Sequence, residues 1–231
     1  MVSNTRAICK LTDALLGAIL KVVTEMAQMR SLFDEPAKSP KILTFAEAQR
    51  QAQTCTKCRL HQSRTHVVFG EGSTQSPVIF LGEGPGEVED STGRPFVGPA
   101  GQKLTEVLES VGISRERVYI SNMVKCRPPG NRAPQKDEID ACWPYLEAQI
   151  QHIKPKIIVA LGNVPAQYLL KTTEGITTLR GRFFPWRYGI EIFCMFHPSY
   201  LLRNPSREPG SPKYLTWQDI KKLKERLDGL L

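Results

Sequence analysis

Long apolar runs are missing from this 231-residue chain. The longest near the N-terminus, residues 14–20 (ALLGAIL), is bracketed by Asp13 and Lys21. It falls far short of the roughly 20 residues that cross a bilayer, and no small-residue cleavage site follows it. Neither a membrane span nor a secretory leader is expected, and the chain reads as cytoplasmic. Cysteine is scarce: six residues are too few for a disulfide scaffold at this length, which suits reduced thiolates. There is no internal repeat and no low-complexity tract, so a solenoid or a fibrous chain is excluded. Composition is otherwise ordinary, with 41% hydrophobic and 23% charged residues, which excludes a disordered chain.

Charge is less even. Lys and Arg number 31 against 23 Asp and Glu, a net +8. Residues 1–40 hold five basic and four acidic side chains, leaving 26 against 19 and a surplus of +7 for residues 41–231. A surplus of that size suits a polyanionic partner.

Residues 5–33 carry Ile8, Leu11, Leu15, Ile19, Val22, Val23 and Met26 at helical spacing, and residues 34–40 read as a linker with two prolines. The first 40 residues are therefore taken as a helical extension and linker, and residues 41–231 as the main domain. Within it, helical patterns over 44–52, 101–111, 137–153, 165–171 and 214–230 alternate with apolar strand patterns at 78–81 (VIFL), 118–124 (VYISNMV), 157–161 (IIVAL) and 191–196 (EIFCMF). Thr44 and Glu47 have capping-box spacing. The alternation predicts an α/β fold, a three-layer αβα sandwich around a central four-stranded, mainly parallel sheet. Ligands of such sheets sit beyond the carboxyl ends of the strands. The segments there are 82–86 (GEGPG), 125–131 (KCRPPGN), 162–163 (GN) and 197–200 (HPSY), all polar or rich in Gly and Pro.

Cys55 and Cys58 form a Cys-x-x-Cys pair, with Cys126 and Cys142 far downstream. Four thiolates suit either zinc or an iron–sulfur cluster. The wide second pair is unlike a zinc knuckle and favours a cluster joining the first helix to the loop after the second strand. Cys9 and Cys194 read as ordinary buried residues.

The 82–86 loop lacks both the Lys-Ser/Thr pair and a regular GxGxxG, so a nucleotide cradle is a weak reading. Glu87, Glu89 and Asp90 would repel a pyrophosphate; carboxylates in a cleft instead suit a developing cation or a water. Phe96, braced by Gly93, Pro95 and Gly98, is a candidate plate for a flat base. Asn122 offers a donor and an acceptor side by side, as needed to read a uracil-like edge. His197 can donate a hydrogen bond to a carbonyl oxygen.

Segments 82–104 (GEGPGEVEDSTGRPFVGPAGQKL), 122–132 (NMVKCRPPGNR) and 197–205 (HPSYLLRNP), with the Cys55/Cys58 pair, resemble the family 4 uracil-DNA glycosylases, the iron–sulfur branch of that superfamily. The resemblance runs over roughly residues 44–225. It implies excision of uracil from single- and double-stranded DNA, at the start of base excision repair, by a monomer. It implies a 4Fe–4S cluster on Cys55, Cys58, Cys126 and Cys142. It places Gly82, Glu83 and Gly84 along the uracil pocket, Phe96 on the base, Asn122 on its edge and His197 at O2. Glu89 and Asn131 match positions that help to place the attacking water, with Glu83 competing for that role. Tyr200, Leu201, Leu202 and Arg203 suit a wedge in the DNA minor groove with a cation on phosphate, the tip being Leu201 or Leu202. Arg180, Arg182, Arg187 and Arg207 are candidate phosphate contacts. Two other readings are a catalytically silent DNA-binding module with a structural four-cysteine metal site, and an iron–sulfur electron carrier.

Overall fold

A computed structural model describes residues 42–230. The helix expected over 5–33, the linker and Cys9 lie outside the described residues.

The apolar runs form strands because they can be buried on both faces, which the β-branched and aromatic side chains of VIFL and IIVAL tolerate. Strands β2 (Val78–Gly82), β3 (Tyr119–Asn122), β4 (Ile157–Leu161) and β6 (Glu191–Met195) make the parallel centre. Two short strands extend it at the edges. β1 (Glu71–Gly72) pairs antiparallel with β3, and β5 (Phe183–Pro185) pairs antiparallel with β6. The sheet therefore has six strands in the order β1-β3-β2-β4-β6-β5, the four expected ones plus two edges. Two- and three-residue strands leave no alternation to read.

Alternate side chains of each central strand feed two cores. Ile79, Leu81, Ile158 and Ala160 face one core with α1 (Phe45–Gln53), α4 (Lys136–Ile153) and α5 (Asn163–Leu170). Val78, Phe80, Ile157 and Val159 face the other with α3 (Pro99–Glu109) and α8 (Pro212–Asp228). The result is the expected three layers. Thr44 caps α1 as its spacing predicted, its hydroxyl accepting from the Glu47 N–H while the Glu47 carboxylate accepts from the Thr44 N–H.

Three short helices occupy stretches that carry no helical periodicity: α2 (Glu87–Thr92), α6 (Ile176–Leu179) and α7 (Pro198–Arg203). α7 starts with a proline at its first position, where the missing N–H is no loss. Among the described residues, no helix is long and apolar enough to cross a membrane.

Two arginines expected on phosphate are paired with carboxylates of the fold instead. Arg180 donates through Nε to Asp219 Oδ2 at 2.8 Å and through Nη2 to Asp219 Oδ1 and the Leu215 carbonyl. Arg187 pairs with Glu147 and lies over the Trp143 and Trp186 rings. A guanidinium fork matches a carboxylate as well as a phosphate, and the sequence does not say which it meets. Asp219 is 2% exposed, so removing one partner strands a buried charge. Arg180→Ala, which leaves Asp219 unpaired, is expected to destabilise the fold by about 3–5 kcal/mol in urea unfolding, far more than loss of an exposed pair such as Lys136–Asp140.

Candidate functional site

The carboxyl ends of the four parallel strands meet in one open cleft of about 910 Å³. Residues lining it come from the loop after β2 (Glu83, Gly84), the end of β3 (Asn122), the turn after β4 (Gly162) and the segment after β6 (His197). Phe96 closes it from the loop between α2 and α3. The strand order reverses between β2 and β4, so the cleft sits at the switch point of the sheet.

Gly82 ends β2 directly beneath Phe96 and Asn122. A Cβ there would stand 2.4 Å from Asn122 Oδ1 and 2.5 Å from Phe96 Cζ, both closer than atoms pack. Gly82 is thus buried behind the cleft rather than on its lining, and its bare backbone lets a ring and an amide converge. Asn122 is 1% exposed and its Oδ1 has no hydrogen-bond partner among the described residues. An unpaired buried acceptor costs about 1–3 kcal/mol, so this oxygen awaits a donor.

The Phe96 ring centroid lies 5.8 Å from that of His197, the planes at 38°. Phe96 has φ +51°, a left-handed conformation that bulky residues avoid, at roughly 1–3 kcal/mol. Glu89 holds it there. One carboxylate oxygen accepts from the N–H groups of Val97 (3.0 Å) and Gly98 (2.8 Å), the other from that of Gly86 (3.1 Å). Gly101, where a Cβ would fall 1.9 Å from the Phe96 carbonyl carbon, lets α3 pack against the same backbone. Glu89 therefore clamps the aromatic loop, with both oxygens engaged.

Glu83 is the freer carboxylate. It lines the cleft, and burial raises its pKa against an opposing hydrogen bond from the Val164 N–H. Asn131 sits at the exposed rim, its Oδ1 accepting from Arg127 Nε at 2.8 Å.

His197 caps α7 in an informative way. Its Nδ1 accepts the Ser199 N–H at 3.2 Å and faces the Ser199 hydroxyl at 2.8 Å. A nitrogen that accepts carries no hydrogen, so the neutral ring bears its proton on Nε2. Burial lowers its pKa from 6.5 to about 4, with Arg203 adding to the shift and Glu89 opposing it. The site therefore holds a neutral imidazole with an N–H to donate.

At the mouth, Leu202 is 44% exposed and lines the cleft with Tyr200 and Arg203, whereas Leu201 is 2% exposed within the core. Leu201 cannot be a wedge tip. The helical phase of α7 turns adjacent leucines to opposite sides, a distinction invisible while the segment reads as a loop.

Cys55, Cys58, Cys126 and Cys142 line a second cavity, between the end of α1, the loop after β3 and α4. Arg64 Nη1 donates to Cys126 Sγ at 3.4 Å and to the Cys55 carbonyl at 2.6 Å; the Lys125 N–H donates to Cys142 Sγ at 3.3 Å. Donors aimed at sulfur suit thiolates. Burial pushes the Cys142 thiol up to about 12, opposed by the charge and the N–H of Lys125 and helped by the Cys126 and Cys58 thiols. No group of three or more His, Cys, Asp or Glu among the described residues is set to hold a metal ion. Cys194 is fully buried in β6, as expected. Lys125 belongs to the four-cysteine cavity, its side chain buried and its pKa pushed down to about 8 by burial. Sequence reading passed over that lysine.

The His197 shift has a consequence for stability. Folded, the ring loses its proton near pH 4; unfolded, near 6.5. Between these values the unfolded chain binds the additional proton, so stability rises with pH through that window and then levels off. Urea unfolding at about pH 4.5 and about pH 7 is expected to show a smaller pH increment for His197→Gln than for the unsubstituted protein. Equal increments would contradict a buried neutral imidazole.

Comparison with known proteins fits this geometry. The uracil DNA glycosylase superfamily model matches residues 69–221. A type-4 uracil-DNA glycosylase of Thermotoga maritima is 49% identical over 175 residues, covering 75% of this chain and 90% of that protein. One from Sulfurisphaera tokodaii is 44% identical over 190 residues, covering 79% and 84%. A type-5 uracil-DNA glycosylase of Pyrobaculum aerophilum is more distant, 30% identical over 153 residues, covering 59% and 67%. With a superfamily match across the sheet and its loops, and type-4 relatives aligned over most of their own length, the chain belongs to the type-4 branch of the uracil DNA glycosylase superfamily.

Proposed function

We propose that this protein hydrolyses the bond between uracil and deoxyribose in DNA, acting on a nucleotide flipped out of the strand. The observation that carries the reading is the buried, unpartnered Asn122 Oδ1 beside the Phe96 ring and the His197 imidazole. Uracil supplies the missing donor, its N3–H, while the Asn122 amide N–H donates to O4. Cytosine presents an acceptor at N3 and an amino group at C4, so both contacts would oppose like with like, and a buried mismatch of that kind discriminates strongly.

Extruding a base costs roughly a few kcal/mol, and stacking on Phe96 returns about 1–3 kcal/mol. As the bond from C1′ to N1 breaks, its electron pair moves onto the uracil ring and the sugar becomes cationic. The Nε2–H of His197 donates to O2, where negative charge grows, a contact stronger in the transition state than before it. Water then bonds to C1′, and a carboxylate accepts its proton. Glu83 suits that task because it faces the cleft, with Asn131 at the rim to orient the water; Glu89 is the better reading as the clamp behind Phe96. At the mouth, Leu202 would fill the space left by the flipped nucleotide, with Tyr200 beside it and Arg203 on phosphate. All of these residues come from one chain, in keeping with a monomer; the cytoplasm is its proposed compartment.

Cys55, Cys58, Cys126 and Cys142 would hold a 4Fe–4S cluster, which when bound would serve as a structural cross-link. The Cys126 and Cys142 sulfurs are met by N–H donors, and the four cysteines come from three separate segments, so the group would tie α1 and α4 to the loop that follows Asn122. A zinc site would serve the same mechanical end.

Two measurements test this. His197→Ala should slow uracil release from single-stranded DNA by about 10²–10³-fold with an unchanged circular dichroism spectrum; full activity would remove the imidazole from the mechanism. The purified protein should be brown, with broad visible absorbance and iron on analysis. A colourless protein containing zinc would replace the cluster with a single ion.

A further inference from the structure

Lys125 is 1% exposed, and its ammonium touches no carboxylate. Its three N–H bonds go to neutral oxygens: Ser121 Oγ at 2.6 Å, the Asn122 carbonyl at 2.9 Å and Gln149 Oε1 at 2.7 Å. Gln149 is itself fixed, its amide donating to the Phe69 carbonyl at 2.7 Å and the Tyr119 hydroxyl at 3.0 Å. A buried ammonium is costly, and here its three N–H groups are saturated by the Ser121 hydroxyl and the Asn122 carbonyl at the end of β3 and by the Gln149 amide oxygen of α4. Asn122 is held from behind at its own carbonyl, while its buried side-chain oxygen has no hydrogen-bond partner among the described residues. The other end of Lys125 is also pinned, its N–H on Cys142 Sγ and its carbonyl accepting the Val68 N–H at 2.8 Å.

We infer that Lys125 is a positioning residue for base recognition: its ammonium fixes the backbone of Asn122 so that the side-chain amide faces the pyrimidine edge. The inference rests on the proposed reading of uracil by Asn122. A charged donor on a main-chain carbonyl makes a stronger bond than a neutral one, and it acts at the one residue whose side chain must choose between uracil and cytosine.

The test measures binding rather than turnover, by fluorescence anisotropy on single-stranded DNA carrying one non-cleavable 2′-fluorodeoxyuridine or 2′-fluorodeoxycytidine. Lys125→Met keeps the length and apolar stem but removes the donors. The uracil-over-cytosine affinity ratio is expected to fall about tenfold. In the Asn122→Ala background, the same substitution should change that ratio by less than about twofold, because the reader is already gone. A merely structural lysine would weaken both DNAs alike and leave the ratio intact, which would overturn the inference, as would equal losses in the two backgrounds. Should Lys125→Met not fold, Gln149→Met removes one acceptor and is expected to lower the ratio in the same direction; an unchanged ratio there also counts against it. If the unsubstituted protein shows no preference for uracil, the functional reading itself fails, a result distinct from a preference that survives Lys125→Met.

Discussion

A side-chain oxygen sealed from water, with no donor to it among the described residues, is the constraint around which this domain is arranged. Asn122 Oδ1 is unfavourable in the free protein, and the surrounding elements hold it in that state. β3 delivers it to the sheet edge, Gly82 leaves the room it needs, and the Lys125 ammonium holds its backbone. Phe96, in a backbone conformation its ring disfavours, closes the opposite side. Two local penalties are thus concentrated at one point of an otherwise well-packed fold, where a ligand can relieve at least the first.

The division of labour among the carboxylates follows from what each oxygen already touches. Glu89 spends both oxygens on three backbone N–H groups and is a structural clamp, although its place among Glu87 and Asp90 suggested chemistry. Glu83 makes a single backbone contact and keeps an open side toward the cleft. Acidic residue type marks a candidate; geometry separates a carboxylate held as a strut from one open to the cleft.

Much of this was legible in the chain alone. The four apolar runs mark the parallel core, and the rule that ligands sit beyond strand ends points to Asn122, His197 and the 82–86 loop. What escaped had no residue-level signature. Edge strands of two and three residues are too short for periodicity. Leu201 and Leu202 differ only in helical phase, which needs the helix to be known. Arg180 and Arg187 carry charge suited to DNA but meet Asp219 and Glu147 instead. Lys125, two residues before Arg127 in a Gly/Pro-rich loop, looks solvent-facing, and only packing shows an ammonium saturated by neutral oxygens.

Five consecutive residues, 122–126, serve two cavities at once: the base-facing amide stands at one end and a cysteine of the four-sulfur group at the other. A single insertion or deletion inside that stretch would shift both in opposite senses. Surface loops elsewhere in the domain are free to lengthen, but this one is indivisible. A descendant of this fold could replace Cys126 only while keeping, in the same step, the run of backbone that carries Asn122.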